Sequence, residues 1–358
     1  VPAITPAAPR ATARAVRLVP LAAVAAGALA LAPAAFGADA VLEPGGGTVL
    51  TLDRATAGVL ADNGVSVAPI RPARPGAARG TVAFPITGGQ VEDLSTGAGV
   101  VRHSGGLALR AGGTTVRLTD FQVSVGRRSQ LTARVGAARV PILDLNTARA
   151  TVGIAQGRLI TVAGVRTTLT TQAAAALNRA FHVSLFRKGI PLGTVRVQAR
   201  AYSTSVTLDS GLATALSGAG ISAAPVAPGG ADGAGRLVFP VSGGGLAART
   251  FAGQVPHGGG ITLSRGATRV ALTDFTIDTT TTATPQLTAL VGGQRVPVLS
   301  ISLAAARTST RGGVAEVRNA RLSLTPAAAG LLNQTFGLGT TLSGATVFGA
   351  AQVRAPIR

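Results

Sequence analysis

Cysteine, methionine and tryptophan are absent from the 358 residues, tyrosine occurs once and histidine three times. Without cysteine there is no disulfide, no thiolate nucleophile, no thiolate-bound metal and no lipid anchor on a cysteine. Aromatic residues make up 3% of the chain. That leaves little for base stacking, so nucleic-acid binding is not expected. Acidic residues are also scarce, 13 against 33 basic ones, for a net charge of +20. Lys188 is the only lysine, so the positive charge is carried by arginine. Such a balance favours an anionic partner: an acidic wall polymer, a membrane surface or a carboxylate ligand. The arginines are scattered and not striped, a pattern that general solubility also explains.

What the chain does have is small and apolar. Hydrophobic residues, mostly Ala, Val and Leu, reach 46%, enough for a sizeable core. Forty-eight Gly and 20 Pro imply many turns, and so short strands rather than long helices.

The first forty residues read as a targeting segment. Arg10, Arg14 and Arg17 precede an apolar stretch from Leu18 to about Phe36, and Ala38-Asp39-Ala40 supplies small residues for a signal peptidase. The expectation is a signal peptide over 1–40, cleavage after Ala40, and a secreted or cell-envelope protein. Pro33 and the Ala/Gly content make a poor permanent span. The last residues, "AAQVRAPIR", carry no apolar span, so no C-terminal membrane anchor is expected.

The remainder is one unit written twice. "LTLDRATAGVLADNGVSVAPIRP" at 50–72 returns as "VTLDSGLATALSGAGISAAPVAP" at 206–228. "VAFPITGGQV", "RLTDFQVS", "LTARVGAARVPILDLNT" and "TTLTTQAAAALNRAFHV" all return in order, offset by 154 to 156 positions. The expected units are 41–201 and 202–358, with no long linker between them. Within each, apolar residues alternate with period two, as in "TTVRLTDFQVSV", where one slip falls at Asp120. Two segments per unit have helical spacing instead. Asp53 and Thr325 are placed as N-caps, Pro326 at a first helical position, and Gly64 and Gly337 at the exits. Leu60, Leu177, Leu216 and Leu332 form their buried faces. The expected fold is mainly β: two tandem β-sandwich or partly open barrel domains, each with two short helices.

Two of the three histidines stand at matched places before glycines, in "VVRHSGGLAL" and "QVPHGGGITL". Phe84-Pro85 leads to His103-x-Gly105 and then Leu107 in the first unit. Phe239-Pro240 leads to His257, Gly259 and Ile261 in the second. This succession, with the "LTDF" and "LTA" strands after it, resembles the HtaA-type domain, the haem-transport-associated module of exported bacterial surface proteins. The resemblance implies haem capture at the cell surface, with a tyrosine as iron ligand and the histidine assisting. The corresponding helix positions here hold Val59 and Leu60, and Ala215 and Leu216. Aliphatic carbon cannot take over from a phenolate.

These readings give a non-enzymatic envelope protein, structural or adhesive, with no cofactor expected. The alternative is binding of haem, or a similar planar anion, through His103 and His257. Tyr202, the single tyrosine, joins that site only if the junction between the units folds it toward His257. Arg71, Arg74 and Arg79 lie on a Pro-rich loop suited to an anionic ligand. No metal site and no catalytic arrangement emerges. Ser104 follows His103 directly, and strand neighbours point to opposite faces, so the two do not form a nucleophile–base pair. Asp120 and Asp274 are expected to close a bulge by accepting backbone N–H groups.

Overall fold

The computed structural model describes residues 39–281 and 285–358. The signal-peptide segment therefore falls almost wholly outside the described residues. The expected cleavage point after Ala40 lies at the first residue of a strand, Ala40–Leu52, where Ala40 is fully buried and pairs with Val91.

Thr, Val, Ile and Leu in alternation produce strands, and glycine pairs turn them. In the first half eight strands follow one another as an antiparallel ring. They are Ala40–Leu52, Thr81–Asp93, Ala98–His103, Thr114–Val125, Gln130–Val135, Ala138–Asn146, Leu159–Leu169 and Pro191–Ala201, the last pairing with the first. A short flank of Ser66–Ile70 and Gly106–Ala111 extends the sheet beyond Thr114–Val125. The second half repeats the course from Ser203–Leu208 to Val347–Pro356. Its ring is joined more loosely. Between Leu237–Pro240 and Gly253–Pro256 the link is a single bridge, Val241 to His257, with Ser242 N–H donating to the Pro256 carbonyl at 2.9 Å. The fold is thus mainly β, two barrel-like sheets with two short helices each.

The slip at Asp120 is a β-bulge. Asp120 and Asp274 adopt φ of 51° and 49°, and the register shifts around each. The shift keeps Leu118, Phe121 and Val123 all inside. The carboxylates do not close the bulge as expected. The backbone carbonyls do, accepting from Arg139 and Arg295 at 2.9 Å. The Asp120 carboxylate instead faces Arg134.

The helices are α1 (Arg54–Asp62), α2 (Thr171–Phe181), α3 (Ser210–Gly218) and α4 (Pro326–Phe336). Asp53 caps α1 by accepting from Thr56 N–H at 3.0 Å, and Thr325 caps α4 through Ala328 N–H at 3.1 Å. Gly337 ends α4 in the left-handed conformation, and His182 does the same for α2. Leu60, Leu177, Leu216 and Leu332 are buried. No helix among the described residues is long and apolar enough to cross a membrane.

The halves meet through backbone bonds around Tyr202, within one compact unit. Tyr202 N–H donates to the Val41 carbonyl, Val41 N–H to Val241, and Val241 N–H to Tyr202, at 2.8–2.9 Å. Beside them Arg354, on the last strand, pairs with Glu43, on the first.

Candidate ligand-binding cavities

Each ring encloses a buried histidine bound in the same way. His103 ends its strand opposite Ile86 and is 5% exposed; His257 bridges Val241 and is 3% exposed. The His103 ring reaches across the intervening strand to Thr48, whose Oγ1 lies 2.6 Å from Nε2, while Nδ1 lies 3.2 Å from the Phe121 carbonyl. In the second ring Thr204 and Phe275 take those places at 2.7 and 3.3 Å. A carbonyl only accepts, so Nδ1 carries the proton and donates. Nε2 then accepts from the threonine hydroxyl. Both nitrogens are engaged and the imidazole is neutral. Burial pushes each histidine down to about 4, against the smaller opposing effect of the carbonyl bond. Phe84 packs edge-on against Phe121 beside the first histidine, and Phe239 against Phe275 beside the second, both pairs at 5.1 Å.

Above each histidine the ring interior is open. The first cavity has a volume of about 280 Å³ and the second about 120 Å³. Thr48 and His103 are the polar pair deep in the first. Its walls are leucines from every side of the ring, among them Leu50, Leu118, Leu131, Leu143 and Leu177, with Phe84, Phe121 and Phe186. The exposed members of the lining mark the opening: Ala55 and Val59 on α1, and Arg187 on the segment after α2. Val59 is 47% exposed, unusual for valine on a capped helix. The second cavity has Thr204 and His257 at its base, and its exposed members are Pro297, Ala327 and Leu331, the last two on α4. No charged residue lines it.

The other sequence candidates lie elsewhere. Tyr202 is buried at the junction, lines neither cavity, and its hydroxyl reaches toward the Gly313 carbonyl at 3.4 Å. The structure therefore does not bring it to His257 as a second ligand. Burial first, and then the nearby Glu43 carboxylate, raise its hydroxyl pKa and disfavour a phenolate. Arg71, Arg74 and Arg79 are exposed; Arg74 belongs to the two-residue strand Arg74–Pro75, and none of the three lines a cavity. Of the tyrosine-equivalent positions, Val59 and Leu60 line the first cavity, whereas Ala215 and Leu216 do not line the second. Among the described residues no group of three or more His, Asp or Glu is placed to hold a metal ion.

Sequence reasoning missed Thr48, Thr204 and Arg187. The threonines were visible in the repeat, as "TVLTLD" against "TSVTLD". Arg187 carries no such mark, because nothing in "SLFRKGI" announces a cavity rim.

The fold and the site define a paired β-barrel protein in which each ring holds an apolar cavity over a buried neutral histidine. No protein-family model matches the chain, and no curated protein matches it. Among solved structures it is similar to the C-terminal domain of HtaA from Corynebacterium glutamicum, at 14% identity over 44% of this chain and 98% of that one, TM-score 0.34. It is also similar to the haem-binding protein HtaB from the same organism, at 10% identity over 45% of this chain and 95% of that one, TM-score 0.25.

Proposed function

We propose that this is an exported, non-enzymatic protein of the cell envelope that holds a small, largely apolar molecule inside its first ring. One observation carries the reading: a cavity of about 280 Å³, walled by aliphatic and aromatic side chains, with one polar pair inside and an opening beside α1. Eight-stranded rings are just wide enough either to fill with side chains or to hold one small ligand. An apolar hollow with few polar groups is the usual form of a ligand site. This supports ligand binding over the structural or adhesive role expected from the missing tyrosines and the repeated architecture. In the same reading residues 1–40 are a cleaved leader, and units 41–201 and 202–358 descend from one duplicated module.

The test is fluorescence of N-phenyl-1-naphthylamine, a neutral apolar probe, added to the purified chain. Saturable enhancement is expected, and Ala55→Trp, which fills the opening from an exposed helix position, weakens it at least tenfold. Absence of saturable binding, or equal binding by the variant, overturns the proposal.

A second reading, haem, is favoured by the motif histidines standing in the cavity walls. Iron ligation requires His103 Nε2, which Thr48 occupies. Haem binding therefore predicts a Soret band with hemin that strengthens in Thr48→Val and vanishes in His103→Ala. A spectrum unchanged by both substitutions ends that reading.

A further inference from the structure

We infer that the first cavity takes a single-chain aliphatic carboxylate, its chain inside the ring and its head against Arg187, and that the second ring takes none. The inference rests on the cavity-binding reading above and adds the class of ligand.

The walls argue for a flexible chain. They are predominantly Leu, Val and Ile, with no tyrosine or tryptophan to hold a polar aromatic ligand. Phe84 and Phe121 pack edge-on against each other, and aliphatic side chains far outnumber the three aromatic ones, Phe84, Phe121 and Phe186, in the lining. Each methylene of an alkyl chain gains about fourfold in affinity on entering such surroundings. The polar pair deep in the cavity is self-satisfied, His103 taking the Thr48 hydrogen, so it offers no strong partner to a polar group inserted there. A ligand with one apolar end, going in first, suits this arrangement.

The opening argues for the head. Arg187 is the one charged residue in the lining, and no acidic side chain accompanies it. Its guanidinium makes no ion pair among the described residues. Lys188 is its exposed neighbour. A planar guanidinium pairs with a carboxylate through two parallel N–H···O bonds.

The second ring lacks this device at the matching place. Asn178 brackets Phe186, donating to its carbonyl and accepting from its N–H at 2.7 and 2.8 Å. Asn333 brackets Leu342 in the same way at 2.8 and 3.1 Å. The residue after Phe186 is Arg187; the residue after Leu342 is Ser343. The smaller cavity of 120 Å³ thus has neither a cation nor comparable room.

Isothermal titration of the whole chain with dodecanoate, dodecanol and dodecylamine tests the inference. Dodecanoate is expected to bind at one equivalent per chain and more tightly than the amine. Arg187→Gln, at an exposed position, is expected to cost dodecanoate about fivefold, the upper end for an exposed ion pair, and to leave dodecanol unchanged. Octanoate should bind more weakly than dodecanoate. Equal binding of amine and carboxylate, an indifferent Arg187→Gln, or two equivalents per chain overturns the inference. If N-phenyl-1-naphthylamine still binds and is still blocked by Ala55→Trp, the cavity reading survives that outcome. If neither the probe nor any dodecyl compound binds, both fall.

Discussion

At the residue scale the two histidines set the acid limit of the fold. Each is held neutral with a pKa of about 4, whereas in the unfolded chain it returns to about 6.5. Above pH 6.5 both states are neutral and the stability is complete. As pH falls from 6.5 toward 4 the unfolded chain takes up protons that the folded one refuses. Stability then drops by about 1.4 kcal/mol per pH unit for each histidine. Glu316 is also displaced downward, mainly through its hydrogen bond from Arg318, so its contribution too is lost as pH falls, but only below the usual carboxylate range. Urea unfolding at pH 7 and pH 5 is therefore expected to differ by about 4 kcal/mol from the histidine pair, and by half of that in His103→Gln. Equal midpoints at the two pH values would contradict the buried neutral assignment. The sequence marked these histidines by their rarity and their repeat. It did not reveal that both nitrogens are engaged, because the partners Thr48 and Phe121 lie 55 and 18 positions away. Asp120 was legible as a bulge for a related reason: a slip in alternation is local, but which of its atoms closes the gap depends on Arg139 from another strand.

At the scale of elements the pairing of histidine with glycines has a packing cause. Gly105 has φ of +83°, and a Cβ there would press on the Ile70 carbonyl at 2.8 Å and on the backbone of Ala73. The segment 70–73 thus folds directly onto the turn that follows His103, and only glycine fits beneath it. Gly259 repeats this with φ of +84° against the Val226 carbonyl at 2.5 Å. Gly105→Ala is expected to destabilise the protein by about 2–3 kcal/mol, measured by thermal or urea unfolding. A loss below about 0.5 kcal/mol would show that the segment yields, and would remove the close-packing explanation. The starts and exits of α1 and α4 and the four buried leucines were legible, since caps and 3.6-residue spacing are carried within a dozen positions; the left-handed His182 that ends α2 was not. The empty interior was not. Alternating strands read the same whether the ring they form is filled or hollow. The looser seam at Val241 and His257 was likewise hidden, because ring closure is a long-range pairing.

At the scale of the whole molecule the two rings share a charged junction. Arg354 donates to Glu43 of the first ring and, at 3.3 Å, to Glu316 of the second. Gln352 and Arg318 add bonds to Glu316 at 2.9 and 2.8 Å. Glu43 is reached because a register shift between Glu43 and Gly47 bends the first strand there. Arg354→Ala leaves two largely buried carboxylates facing each other. It is expected to cost about 2 kcal/mol, reduced from the fully buried case by the partial exposure of the arginine. Glu43→Gln and Arg354→Ala are expected to couple in a double-mutant cycle by about 1 kcal/mol. Strict additivity would mean that the pair does not hold the rings together. The mainly β character, with four short helices, was legible in the sequence at this scale. The unequal hollows were not, for a cavity's volume depends on side chains that the fold brings together from strands far apart in sequence.

The claim on which the functional account turns is that the first ring is a ligand chamber and the second is not. Methyl NMR of the chain during addition of dodecanoate reads this directly. Shifts at Leu50, Leu131 and Leu177 that saturate at one equivalent, with Leu263, Leu299 and Leu332 unmoved, are the predicted result. Shifts confined to the exposed Val183 and Leu331, or growing without saturation, would contradict it.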